Sequence, residues 1–431
     1  MLGFSFRTSP SNVLKFSTFN TENILEKYIC FFILVFSTVL FPQDFVVKSL
    51  VAYTTDSKTS IPVVAGGNKL IIEFDVQGDF IPNMNMVFRF CDTDWKPTNN
   101  IFLLNQSHSV YYSLDFENLP ITVIDDAKYH FKGNFPDSKG DVEFPFSGKW
   151  RFYITDTQDT SIVYGQGRFF VVKEDFPISV KVKRDQLEDK SYWPTELAKV
   201  FNVTTDFNLP ANFHPAFVDR VEIIDDHLVD YPVIVDRNMN DLGRQFKWDA
   251  DRKFTFIARD IQAGNEYRQA DLRDHNLFPG PDVKAQRDGI ENSRFYKNPT
   301  YNDLNGGLLY SDFKDDFSTY LNVTFSVRPP EEIQSDVFLV GAFNNWKLSS
   351  ENKMENIGGV HTTTIHLKRG IYDYQYVVAD LVDNEIQNAD WQILEGNTWN
   401  HSKEFHVFLY YKEQKDGGYD RIVGYAKVVT K

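Results

Sequence analysis

Apolar and polar residues alternate with a period of two along most of this chain after residue 43. Leu70, Ile72, Phe74 and Val76 alternate with Ile71, Glu73 and Asp75, and Trp150, Phe152 and Ile154 with Lys149, Arg151 and Tyr153. Leu321, Val323, Phe325 and Val327 repeat the pattern against Tyr320, Asn322, Thr324 and Ser326. Successive side chains leave a strand on opposite sides, so each run predicts a strand with one buried and one wet face. Turn formers punctuate the runs at Gly66-Gly67-Asn68, Pro136-Asp137-Ser138, Gly306-Gly307 and Gly417-Gly418. After residue 43 no long apolar repeat falls at helical spacing, and Asp185 to Lys199 holds a short helix at best. The pattern predicts an all-β chain of tandem β-sandwich modules.

Two charged, proline-ended stretches set the expected boundaries. Lys173-Glu174-Asp175-Phe176-Pro177 follows one strand, and Val327-Arg328-Pro329-Pro330-Glu331-Glu332 stiffens the backbone before another. They divide the chain into sandwiches over 44–173, 174–328 and 329–431. Within the second, Asp271 to Thr300 is polar and broken by Pro and Gly, which predicts an extended loop.

The first 43 residues differ. Lys27 precedes the apolar run Ile29 to Phe41, too short for a comfortable membrane span and matched to the core of a signal peptide. Export is the expectation, with residues 1–43 as a signal peptide and an upstream extension.

Composition sharpens this. Aromatic residues make up 16% of the 431 residues, with 39 Phe, which suits strands better than helical bundles. A net charge of -15 disfavours a nucleic-acid partner, and the only basic run, Lys181 to Arg184, is short. Cys30 lies in the apolar run, so Cys91 stands alone in the rest; one thiol makes neither an internal disulfide nor a two-cysteine zinc site.

Enzyme motifs are absent from the sequence: no HExxH, no GxSxG, no Walker loop and no GxGxxG after a strand. No catalytic residue, cofactor or metal ligand is expected. Asp92 and Asp94, and Asp225, Asp226 and Asp230, form carboxylate clusters that read as solvated loop charge in a chain with 60 acidic residues.

The clearest local signal lies near the carboxyl end. Val337 to Trp346 reads VFLVGAFNNW, and Leu367 to Val378 reads LKRGIYDYQYVV, with Tyr372, Tyr374 and Tyr376 on one strand face. The pair resembles early-set, glycogen-binding modules of immunoglobulin-like fold, which implies that Phe343, Asn344, Asn345 and Trp346 contact a carbohydrate or a partner. Gln375 stands where those modules usually carry Lys, and no second Trp completes the platform. Trp346 thus has two readings, as a structural or partner-contacting residue and as a sugar-stacking one.

Several further blocks occur in order. FCDTDWKP (Phe90–Pro97) carries Cys91, Asp94 and Trp95; GNEYRQADLR (Gly264–Arg273) carries Gly264, Asn265 and Arg268. YNDLNG (Tyr301–Gly306) carries Asp303, Asn305 and Gly306, and GYDRIVGY (Gly418–Tyr425) carries Asp420, Arg421, Gly424 and Tyr425. Together they resemble the plug protein family of the Bacteroidetes type IX secretion system over roughly residues 45–431. The resemblance implies a non-enzymatic periplasmic subunit, associated with the outer membrane, that occludes the periplasmic mouth of the translocon β-barrel, its partner. The alternative is a periplasmic α-glucan-binding protein. From the residues alone, Trp95 is expected to fill the first core. Arg268 and Arg273 are expected to pair with Asp271 or with backbone carbonyls, and Asp420 with Arg421.

Overall fold

A computed structural model describes residues 45–104, 110–123, 126–187, 195–238, 241–295, 303–314 and 317–430. The expected signal segment lies outside them. The regular structure of the described residues is nearly all strand, and the described part from Phe45 forms one compact unit. No helix among the described residues is long and apolar enough to cross a membrane.

Among the described residues six sheets pair into three sandwiches. In the first, Val46–Thr54, Leu70–Gln77, Tyr129–Phe135 and Glu117–Asn118 form one sheet. Val63–Val64, Val163–Val171, Gly148–Asp156, Met84–Cys91 and Tyr111–Ser113 form the other. The alternation predicted here holds: Leu70, Ile72, Phe74 and Val76 are all buried and face Phe88, Trp150 and Phe152 across the core.

The other two sandwiches do not follow the expected boundary at residue 328. Val218–Asp225 pairs antiparallel with Glu404–Tyr411, which pairs with Arg421–Val429. These strands and Val233–Asp236 close on a sheet built from Ser179–Gln186, Lys199–Asn208, Lys253–Gln262 and Arg244–Trp248. The last two long strands of the chain therefore complete the second sandwich. The third is inserted into it, from Arg268–Asp271 to Glu385–Asp390, around Gly370–Val382 and Tyr320–Arg328. Its core takes Tyr372, Tyr374 and Tyr376 together, as their spacing predicts. The expected loop after Asp271 contributes two short strands, Asp282–Lys284 and Glu291–Asn292, parallel to Tyr320–Arg328. Of the charged stretch 185–199, Thr195–Ala198 forms a short 3-10 turn.

The reason for the corrected boundary is visible in Glu404–Tyr411, buried along its whole length. Phe405, Val407 and Leu409 enter the second core, while Phe408 and Tyr410 point the other way, against the first sandwich. A strand covered on both faces needs a layer on each side, and only the second sandwich offers this one both.

Each pair of sandwiches is joined. Between first and second, Phe170 stacks on Phe408 with centroids 4.3 Å apart, and Lys149 meets Glu222 at 2.9 Å with both side chains buried. Between first and third, Asp75 accepts from Lys368 Nζ and from the Tyr320 hydroxyl, each at 2.7 Å. Between second and third, Tyr267 donates to Asp226 at 3.1 Å, and the Gly264 N–H donates to Asn397 at 2.7 Å.

Candidate functional site

The residues singled out by sequence sit mostly at these joints. The turn after Asp336–Gly341 is closed by Asn344, whose Oδ1 accepts the Gly341 N–H at 3.0 Å and whose Nδ2 donates to the Leu339 carbonyl. Asn345 and Trp346 both take positive φ, 54° and 59°, a conformation costly for residues with a Cβ. That turn swings the Trp346 indole inward. It is 1% exposed, packs against Tyr267 at 4.3 Å and donates Nε1–H to the Gly306 carbonyl at 2.7 Å. Phe343 lies against Phe325 and the third core. Only Asn345 of this group is exposed. The indole therefore offers no face for sugar stacking here, and of the two readings of Trp346 its burial favours the structural one.

The seat of that indole is the turn Asp303–Gly307. Gly306 has φ 85°, and a Cβ there would stand 3.3 Å from both Trp346 and Tyr267. Asp303 accepts the N–H groups of Tyr267 and Asn305, and Asp373 accepts those of Leu304 and Gly306. Burial and the neighbouring Asp303 charge push the Asp373 carboxyl up to about 7, against the pull of its hydrogen bonds.

Of its two expected kinds of partner, Arg268 takes a backbone carbonyl and not Asp271. It meets Glu395 with Nε at 2.9 Å, Glu291 with Nη1 at 2.7 Å and the Asn292 carbonyl with Nη2, while Arg273 alone takes Asp271. Burial works against its charge, but Glu395 and Glu291 outweigh this and hold the guanidinium protonated more firmly than usual. Beside it, Asn265 Nδ2 donates to the Glu395 carbonyl.

Trp95 is also corrected. Its φ of 63° turns it out of the first core, against Phe170 and into the joint with the second sandwich. Asp94 stays exposed, and the buried Cys91 thiol is pushed up to about 12 by desolvation. Asp420 and Arg421 do not pair with each other. Asp420 accepts from Thr93 across the joint and from Arg220 within the second sandwich, and Arg421 holds Asp175 at 2.7 Å. Gly424 lets Ile178 approach, since a Cβ would stand 2.7 Å from its Cγ2, and Tyr425 bonds His406 Nδ1 at 2.8 Å.

Asp225 and Asp226 are likewise not solvated loop charges. Both are buried, Asp225 against Lys403 at 2.7 Å, and Asp230 holds Arg168. Sequence reasoning missed Lys149, Glu222, Arg220, Asp75 and Lys368 because each occupies a polar slot in the alternation, indistinguishable there from a wet face.

One grouping superficially resembles a nucleophile with its base. Ser60 Oγ lies 3.2 Å from His406 Nε2 and also hydrogen-bonds Glu404. Glu404 Oε1, however, meets that same Nε2 at 2.6 Å, while Nδ1 faces Tyr425. An imidazole donating Nε2–H to Glu404 has no lone pair there to take the serine proton. Among the described residues no group of three or more His, Cys, Asp or Glu side chains is placed to hold a metal ion.

A cavity of about 740 Å³ opens where the sandwiches meet, lined by Ser60, Trp95, Gln166, Asp230, Asn344 and Lys347 among others.

No family model matches the chain, and no curated protein sequence matches it. Among solved structures, it is similar to the crystal structure of a hypothetical protein from Parabacteroides merdae, with 19% identity and a TM-score of 0.73. The match covers 89% of this chain and 97% of that one, and shows the fold that the two share.

Proposed function

We propose that the chain is a non-enzymatic plug subunit of a type IX secretion system, exported to the periplasm, where it associates with the outer-membrane translocon barrel and occludes its periplasmic opening. The observation that carries this reading is where the residues of the resemblance lie. Trp95, Gly264, Asp420 and Tyr425 lie at the joints, and Arg268 and Gly306 brace the third sandwich from within. A body that blocks a wide opening must resist shear between its parts. Buried ion pairs that bridge neighbouring modules supply that resistance, since removing one partner strands the other charge.

Affinity purification of the tagged protein from outer-membrane extracts, followed by mass spectrometry, tests the reading. Recovery of a very large β-barrel protein is the expected result. Absence of any barrel under mild detergent, with both partners expressed, overturns it. Retention on amylose would instead favour α-glucan binding, against which the burial of Trp346 already weighs.

A further inference from the structure

Three arginines stand abreast on the outer face of one sheet of the first sandwich. Arg89 is directly opposite Arg151, and Arg151 directly opposite Arg168, on three neighbouring antiparallel strands. Directly opposed side chains lie roughly 5 Å apart at Cβ, and like charges placed so are destabilising. The outer two have partners. Arg168 donates to both Asp230 oxygens, at 2.5 and 2.8 Å, and lies over Trp95. Arg89 donates to the Tyr111 hydroxyl at 2.8 Å and to the Phe88 carbonyl at 3.0 Å. Arg151, in the middle, has no side-chain partner among the described residues, and its Nε is buried without one.

Arg151 lines the cavity at the meeting of the three sandwiches, with Lys58, Lys132, Arg168, Lys347 and Lys368; among the described residues the only acidic side chains in its wall are Glu73 and Asp230. That is a basic enclave in a chain of net charge -15. Lys132 is neutralised by Glu73 at 2.9 Å, Arg168 by Asp230, and Lys368 by Asp75 at 2.7 Å. Lys58, Arg151 and Lys347 have no such carboxylate among the described residues.

Fixed contacts hold the segments that carry these three around the one cavity they line. Thr59, next to Lys58, lies against Gly307, and the carbonyl of Gly306 holds Trp346, next to Lys347. The Leu348 N–H donates to the Tyr231 hydroxyl at 3.0 Å, and the neighbouring Asp230 grips Arg168 beside Arg151.

We propose that this cavity binds an oxyanion, a carboxylate or phosphate group on a small ligand, with the Arg151 guanidinium at its centre and Lys58 and Lys347 at its sides. A planar guanidinium fork matches two oxygens of such a group at once. The cavity volume falls within the range of small-molecule sites, and a wall whose basic side chains outnumber its acidic ones attracts an anion. Bound charge would also relieve the repulsion along the arginine row. The site goes beyond the plug reading and stands or falls apart from it.

The test is thermal unfolding of the purified protein titrated with inorganic phosphate and, separately, with succinate, at ionic strength held constant with sodium chloride. A saturable rise in melting temperature with either anion is expected, and the anion that acts identifies the geometry preferred. Arg151→Gln should weaken that response at least tenfold in apparent Kd, and Arg151→Lys should restore only part of it. Should Arg151→Gln fail to fold, Lys347→Gln, at an exposed position, carries the same expectation with a smaller loss. No saturable response to either anion, or an undiminished response in the folded variants, overturns the proposal.

Discussion

The indole N–H of Trp346 donates to the carbonyl of Gly306 at 2.7 Å, across 40 residues of chain. It ties the Asn-Asn-Trp turn to the turn carrying Asp303, and both to Tyr267. Trp346→Ala should cost about 3–5 kcal/mol, the usual loss for a buried large aromatic. Trp346→Phe should cost about 1–3 kcal/mol, chiefly by leaving the Gly306 carbonyl unpaired. Denaturant unfolding measures both. Unchanged midpoints would return Trp346 to the candidates for a surface role.

Asp373 makes stability depend on pH. Its folded pKa of about 7 lies above the ordinary aspartate value, so its stabilising contribution is complete below about pH 4 and lost as pH rises towards 7. Three pH units at about 1.4 kcal/mol each put the cost of its ionisation on the order of 4 kcal/mol. Asp373→Asn keeps an oxygen for the Leu304 and Gly306 N–H groups. The variant should gain melting temperature over the parent at pH 8, and gain little or none at pH 5. A constant difference between the two pH values would show that Asp373 does not titrate in the folded protein between them.

Lys368 probes the joint between first and third sandwiches. Its ammonium shares Asp75 with Tyr320 and His130, all nearly buried. Lys368→Met leaves Asp75 short of a cation and should destabilise by about 3–5 kcal/mol. Replacing both, with Asp75→Leu added, should recover part of that loss. Melting curves of both single variants and the double decide it; losses that simply add in the double would mean that the two residues do not act as a pair.

Ser60 should behave as an ordinary hydroxyl. A fluorophosphonate probe at pH 7–8 should leave it unlabelled, because Glu404 occupies the imidazole nitrogen it would need. Labelling at Ser60, read by peptide mass spectrometry, would reopen the question of hydrolytic chemistry.

Strands were legible in the sequence wherever one face is wet. Leu70 to Val76 and Leu321 to Val327 announce themselves by period two, and the three tyrosines at 372, 374 and 376 share a core as their spacing demands. Partnership was not legible. Nothing within Glu404–Tyr411 says that Val218–Asp225 is its neighbour, nor that its outward side chains meet a second module instead of water. The same holds for Arg268, whose main partner Glu395 is 127 residues away. Period describes a strand's faces; it carries no information on what will cover them.

The insertion of the third sandwich into the second sets an order of events. When the chain is threaded amino end first, Val218–Asp225 emerges with its hydrogen-bonding edge waiting for a neighbour about 180 residues behind it. Until Glu404–Tyr411 arrives, that edge and the apolar side chains beside it are exposed to any passing strand. The second sandwich must therefore close last, and the three joints can all form only once nearly the whole chain is available. A stalled or truncated copy would be left not as a smaller version of the same body but as an open template for aggregation.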